Sequence, residues 1–175
     1  TEGGKQRMAA LESLTGTQRE RLLHGKWVMP EGAIYSSFRD EIHKIATPHL
    51  EPYWPRVVGI NPTGAYVAAV WLAFDPRQKV LIVYREYYEE FGLTTRQHVV
   101  NMLAASGYNA NGQPLQMGAE PILAWVGGGP SERQQRMDFA SHGIPIIEPA
   151  NYDVWHGIDK VHELLRDNSL YVTED

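Results

Sequence analysis

Oxygen-bearing side chains near the ends of apolar runs are where this chain could do chemistry. Asn61 closes the run Arg56-Val57-Val58-Gly59-Ile60 and precedes Pro62-Thr63-Gly64 and a second apolar run, Ala65 to Phe74. The end of a buried strand is a common place for ligand-facing groups in sheet proteins. Carboxylates near other predicted strand or helix ends are Asp75, Glu86, Glu132 and Asp153. Several carboxylates brought together would suit a two-metal hydrolase, whose cations sit roughly 3.5–4 Å apart. Each also has a plainer reading. Asp75 lies in a turn, Asp153 suits a helix N-cap, and Glu86 fits a solvated strand face.

Gly127-Gly128-Gly129-Pro130-Ser131-Glu132 follows a predicted strand and opens a predicted helix capped by Ser131. Backbone N–H groups at such a junction can cradle an anion. Gly128, Gly129 and Ser131, with Arg133 next to them, are therefore candidates to meet a phosphate backbone. A tight turn with no ligand is the equal alternative. The run lacks the Lys-Ser/Thr of a nucleotide-triphosphate loop and is not a dinucleotide fingerprint. Glu132 would reach Asn61 if the strand before the glycines lies beside Arg56–Ile60. His43 and His49, with Pro48 between them, have poor ligand spacing and read as surface residues.

The chain has 175 residues, 43% hydrophobic and 21% charged, which describes one ordinary globular domain with a real core. Its formal net charge of −5 does not advertise nucleic-acid binding, but local patches matter more than the total. The absence of cysteine excludes disulfides and thiolate metal sites. No apolar stretch reaches membrane-spanning length. The start Thr-Glu-Gly-Gly, without Met, suggests a piece of something larger.

Residues 1–55 read as a helical and extended lead-in, with short helices between Lys5 and Gly25 and a short strand near Ala33–Phe38. Three strands follow, Arg56–Ile60, Ala65–Phe74 and Lys79–Tyr87. The short turns between them force antiparallel neighbours. The middle strand is apolar on both faces, so both should be covered. A helix then runs from Thr94 to Gly107, and Tyr108–Gly118 reads as a mobile loop. Strand Pro121–Val126, a helix ending at His142-Gly143, strand Ile144–Ile147 and a helix after Asp153 complete the order. Leu170–Val172 would add an edge strand. The last helix should bury Val154, Ile158, Val161 and Leu165. The expected class is α/β, a mixed sheet of three antiparallel strands followed by parallel strands, flanked by helices.

Several segments together resemble the C-terminal nuclease domain of the tailed-phage terminase large subunit, the DNA-packaging motor. They are Leu14-Thr15-Gly16, Gly25-Lys26-Trp27, Glu31 to Tyr35 with Phe38, Val58-Gly59-Ile60-Asn61-Pro62, Glu86-Tyr87-Tyr88, Trp125 to Glu132, and Asp153 to Val161. The resemblance implies a ribonuclease-H-like fold over residues 56–175, joined by 1–55 to a motor domain. It implies an Mg²⁺- or Mn²⁺-dependent endonuclease that cuts concatemeric double-stranded viral DNA in the cytoplasm of an infected bacterium. Terminase small subunit and portal are the implied partners, and no membrane is. Carried over, the catalytic residues are Asn61, Glu86 and Glu132, and the metal set is Asn61, Glu132 and Asp153.

Three departures stand out. Asn61 replaces the family's first Asp, Gly127 or Gly128 stands where many relatives carry an acid, and the last Asp would fall beyond Asp175. Asn offers a metal one neutral carbonyl oxygen where a carboxylate offers two charged ones. The expectation is weak metal binding and little or no cutting as written. The alternative is a catalytically dead module of the same fold that holds DNA or partner subunits.

Overall fold

The computed structural model describes residues 34–63, 66–89, 92–115 and 118–174. The chain divides into two compact units, Thr1–Ser36 and Ser37–Asp175. The helices expected between Lys5 and Gly25 lie outside the described residues. The second unit takes in Ser37–Pro55, part of the expected lead-in.

This unit opens with α1 (Asp40–His43) and β1 (Lys44–Ile45). The meander follows as β2 (Arg56–Asn61), β3 (Val67–Asp75) and β4 (Val80–Glu89). Next come α2 (Thr95–Ala105), β5 (Ile122–Gly127), a 3-10 turn Pro130–Glu132 and α3 (Arg133–Ser141). β6 (Ile146–Ile147), α4 (Val154–Arg166) and β7 (Leu170–Thr173) complete it. The seven strands form one mixed sheet in the order β1-β7-β4-β3-β2-β5-β6. β3 pairs antiparallel with β2 and β4, and every other pairing is parallel. All strands except β3 therefore point one way, and their carboxyl ends collect at one end of the sheet. Asn61, Gly127 and Glu89 emerge there.

Local chemistry sets these elements. Asp75 is buried, and its Oδ1 accepts the N–H groups of Arg77 (2.8 Å) and Gln78 (3.3 Å), which turns β3 into β4. Thr94 and Gln97 form a capping box at the start of α2, and Gly107, at φ +81°, ends the turn after it. Asn109 Oδ1 accepts the N–H groups of Asn111 and Gln113, so the loop expected to be mobile has an internal hydrogen-bond scaffold at its start.

One sheet face forms the main core. Val58, Ile60, Ala69, Trp71 and Trp125 pack there with Val99, Met102 and Leu103 of α2 and Phe139 of α3. Trp71 is fully buried, meets Trp125 edge-on at 5.9 Å, and donates its Nε1–H to Ser106 Oγ at 2.9 Å. The partner satisfies the one polar atom that burying an indole would otherwise strand.

Several expectations change here. The opposite face of β3 is only partly covered among the described residues, with Val70 40% exposed. Here α4 packs at β7, away from the middle of β3. Val154 of α4 is 70% exposed and Leu165 only 2%, so the C-terminal half of the helix supplies the deepest packing. Residues 34–38 are turn and coil rather than strand. β7 is not an edge strand, because β1 pairs outside it. His43 is fully buried rather than at the surface: Nδ1 accepts the N–H of Arg39 and Nε2 donates to the Leu165 carbonyl, both at 2.9 Å. Satisfying both ring nitrogens makes that burial tolerable. His49 is exposed, as expected.

Candidate functional site

β2 and β5 run parallel with Ile60 opposite Gly127. A Cβ on Gly127 would stand 1.8 Å from the Ile60 carbonyl oxygen, so only glycine lets the two strand ends close up. Gly128, at φ +68°, then turns the chain in a conformation that side chains disfavour. Backbone requirements thus account for these two glycines.

The turn is tied down by Glu132. Its Oε2 accepts the Gly129 N–H at 2.5 Å, and its Oε1 accepts the hydroxyl of Thr63, two residues past Asn61. The Thr63 hydroxyl and the Gly129 N–H hold the Glu132 carboxyl below the usual carboxylate range, with help from the Arg136 charge, while burial opposes them. Arg136 reaches back from α3: Nη1 donates to the carbonyls of Gly128 (3.2 Å) and Gly129 (2.5 Å), and Nη2 to Glu148 Oε2 (2.6 Å). Asn61 is exposed, and its Oδ1 meets the Thr63 N–H and hydroxyl only at 3.5 Å. At that length the contacts are weak, and the amide stays open to solvent.

The structure therefore joins Asn61 to Glu132 through Thr63. Glu86 stands on the same sheet face, since Gly59, Val70 and Glu86 share a row and Asn61 lies two residues beyond Gly59. It lies two strand spacings across the sheet, with β3 between, and two residues along from Asn61, roughly 12 Å between Cα atoms. Asp153 is the N-cap of α4, its Oδ1 accepting the Trp155 N–H at 2.9 Å. The helix after the glycines has no cap from Ser131, which sits exposed inside the 3-10 turn; Glu132 binds the turn instead. Arg133 is also exposed. The Gly129 N–H is given to Glu132 and so is not free for an anion.

Among the described residues, no three His, Cys, Asp or Glu side chains are grouped to hold a metal ion. Both Glu132 oxygens are engaged, Asn61 is neutral, and Asp153 caps a helix. These residues as they stand do not fit a two-cation centre. Three participants escape the sequence reading: Thr63, Arg136 and Glu148. Arg136 had a usable signal, because it lies four residues after Glu132 and so on the same helical face. Thr63 and Glu148 had none, since their partners are distant in the chain.

No protein-family model matches the chain, and no curated protein matches its sequence. Solved structures do match its shape. The nuclease domain of the phage P22 large terminase superposes with a TM-score of 0.61 at 16% identity, covering 84% of this chain and 75% of that one. The large terminase of a thermophilic bacteriophage, solved in complex with ADP, gives 0.67 at 19% identity over 99% of this chain and 41% of that one. This chain thus spans well under half the length of that terminase. The large terminase nuclease of another thermophilic phage, G20c, solved with bound magnesium, gives 0.53 at 14% identity over 83% of this chain and 76% of that one. The seven-stranded mixed sheet and its flanking helices are the ribonuclease-H-like fold of phage large-terminase nuclease domains.

Proposed function

We propose that this chain is the nuclease-fold module of a viral DNA-packaging terminase. It engages double-stranded DNA at the carboxyl ends of β2 and β5, and metal-dependent cleavage is disabled as written. Asn61 carries the reading. It stands exposed at the end of a central strand, on the same face as Glu86 and linked through Thr63 to Glu132. That is a fit place for a metal-binding carboxylate, filled here by a neutral amide. The magnesium-bound G20c relative supports a divalent ion as the cofactor of a competent site; Mg²⁺ and Mn²⁺ are both proposed.

Phosphodiester hydrolysis by two cations needs enough negative charge to hold them together. Asn61→Asp supplies one unit of that charge at the exposed end of β2. Ser131 and Arg133, exposed at the start of α3, are proposed to meet the DNA backbone, with the Gly128–Gly129 turn setting their position. Concatemeric DNA as substrate, small subunit and portal as partners and the cytoplasm of an infected bacterium as setting belong to the same proposal. The test pairs two assays, in the longest natural protein that contains these residues, with Asn61 kept and with Asn61→Asp: duplex DNA binding, and plasmid nicking with Mg²⁺ or Mn²⁺. Binding by both with nicking only by Asn61→Asp supports the reading. No DNA binding by either removes it. Binding without nicking by either leaves the binding-only module as the better account.

A further inference from the structure

The turn between β5 and α3 has no side chain of its own from Gly127 to Gly129. Something else must fix its course. Arg136 does so from the next helical turn. Its side chain is only 11% exposed, and its guanidinium spans the Gly128 and Gly129 carbonyls and the Glu148 carboxylate. The Gly129 unit is consequently gripped twice, its C=O by Arg136 and its N–H by Glu132. A continuous chain of contacts results, Glu148–Arg136–Gly129–Glu132–Thr63, from the end of β6 to the end of β2.

We propose that Arg136 is the positioning residue of this site: it fixes the Gly128–Gly129 turn and so sets the direction of Glu132 and of the exposed start of α3. Several features argue for it. A guanidinium is planar and forked, so one nitrogen reaches the two carbonyls while the other reaches the Glu148 carboxylate, a span the single ammonium nitrogen of Lys does not match. Gly128 at φ +68° and side-chain-free Gly129 would otherwise wander, because glycine restrains the backbone least. The Arg136 side chain is nearly buried, so its bonds to the two carbonyls carry more weight than surface contacts would, whereas the Glu148 end stays 41% exposed. Groups that orient a site residue in this way matter far beyond their own contact, commonly 10–100-fold in metal sites.

The first readout needs no ligand. The Gly129 amide, bonded to a carboxylate, gives a downfield and exchange-protected signal in the chain as written. In Arg136→Met that signal moves upfield and its exchange speeds up by roughly tenfold, the equivalent of one hydrogen bond, while amides of Val58 and Trp71 are unchanged. Arg136→Lys restores part of the protection. Should Arg136→Met fail to fold, Glu148→Gln carries the test, with a smaller shift of the same signal. An unchanged Gly129 signal in every folded variant overturns the proposal.

The second readout rests on the DNA-binding reading. Arg136→Met weakens duplex binding without changing its salt dependence, because no phosphate contact is lost; Arg133→Met lowers the salt slope by about one. A slope change at Arg136 overturns the positioning role in favour of direct contact. If no form of the chain binds DNA, the functional reading fails, and the Gly129 signal alone decides on Arg136.

Discussion

Thr63 donates its hydroxyl to Glu132 across the gap between the end of β2 and the turn after β5. This contact, with the Gly129 N–H second, lowers the carboxyl's proton affinity in the folded state. The unfolded chain then binds that proton more readily than the folded one. The stabilisation is present in full above the ordinary carboxylate value of 4.5 and is lost as pH falls through the lower folded value. Thr63→Val should therefore move the acid-unfolding midpoint to higher pH, read by near-ultraviolet circular dichroism. An unmoved midpoint would mean that the contact adds nothing in solution.

Gly127 and Gly157 should respond to alanine in opposite directions. At Gly127 the added Cβ meets the Ile60 carbonyl oxygen at 1.8 Å and its carbon at 2.8 Å, and neither is a side chain that can swing away. The expected loss is about 3 kcal/mol, since strands must part to make room. At Gly157, inside α4, nothing lies within 4 Å of the added atom. There alanine should stabilise by about 0.5–1 kcal/mol through helix propensity. Urea denaturation of both variants checks the pair.

Asp153 separates a helix cap from a metal ligand. Asp153→Ala should cost about 1 kcal/mol, and Asp153→Asn should cost little, because Asn caps as well as Asp. The cost should be the same with EDTA or Mg²⁺ present. A loss on Asp153→Asn that appears only with Mg²⁺ would return Asp153 to the metal set.

The partner stripe of α4 can be graded by burial. Leu165→Ala should cost about 2–4 kcal/mol, whereas Val154→Ala, at an exposed position, should stay within about 0.5 kcal/mol. Equal effects in thermal or urea unfolding would show that the whole stripe is packed.

Much of the fold was legible because its signals are local. Asp75-Pro76-Arg77 announces a turn, and the buried Asp75 carboxylate makes it by bonding the two N–H groups just after it. Thr94 and Gln97 mark a helix start by spacing alone. What stayed hidden depends on distant partners. His43 is buried because a carbonyl on α4, 122 residues away, takes its second nitrogen. β7 lies inside the sheet because two residues before the meander, Lys44 and Ile45, pair with it, and a two-residue strand carries no periodicity. At the site, Asn61 and Glu132 were expected near each other from their positions after strands, and Thr63 links them; Glu86, expected beside them, stands roughly 12 Å from Asn61. Thr63, whose partner lies 69 residues away, left no local signal; Arg136, four residues after Glu132 on the same helical face, left one that was not used.

Asn61 differs from the carboxylate proposed for a cutting site by one group, an NH₂ in place of a charged oxygen. The most direct measurement is Mn²⁺-dependent nicking of supercoiled plasmid by Asn61→Asp against the chain as written, in the longest natural protein that contains these residues. The account predicts nicking by Asn61→Asp that EDTA abolishes, and little or none by the chain as written. Brisk metal-dependent nicking by the chain as written, unaltered by the substitution, would contradict it.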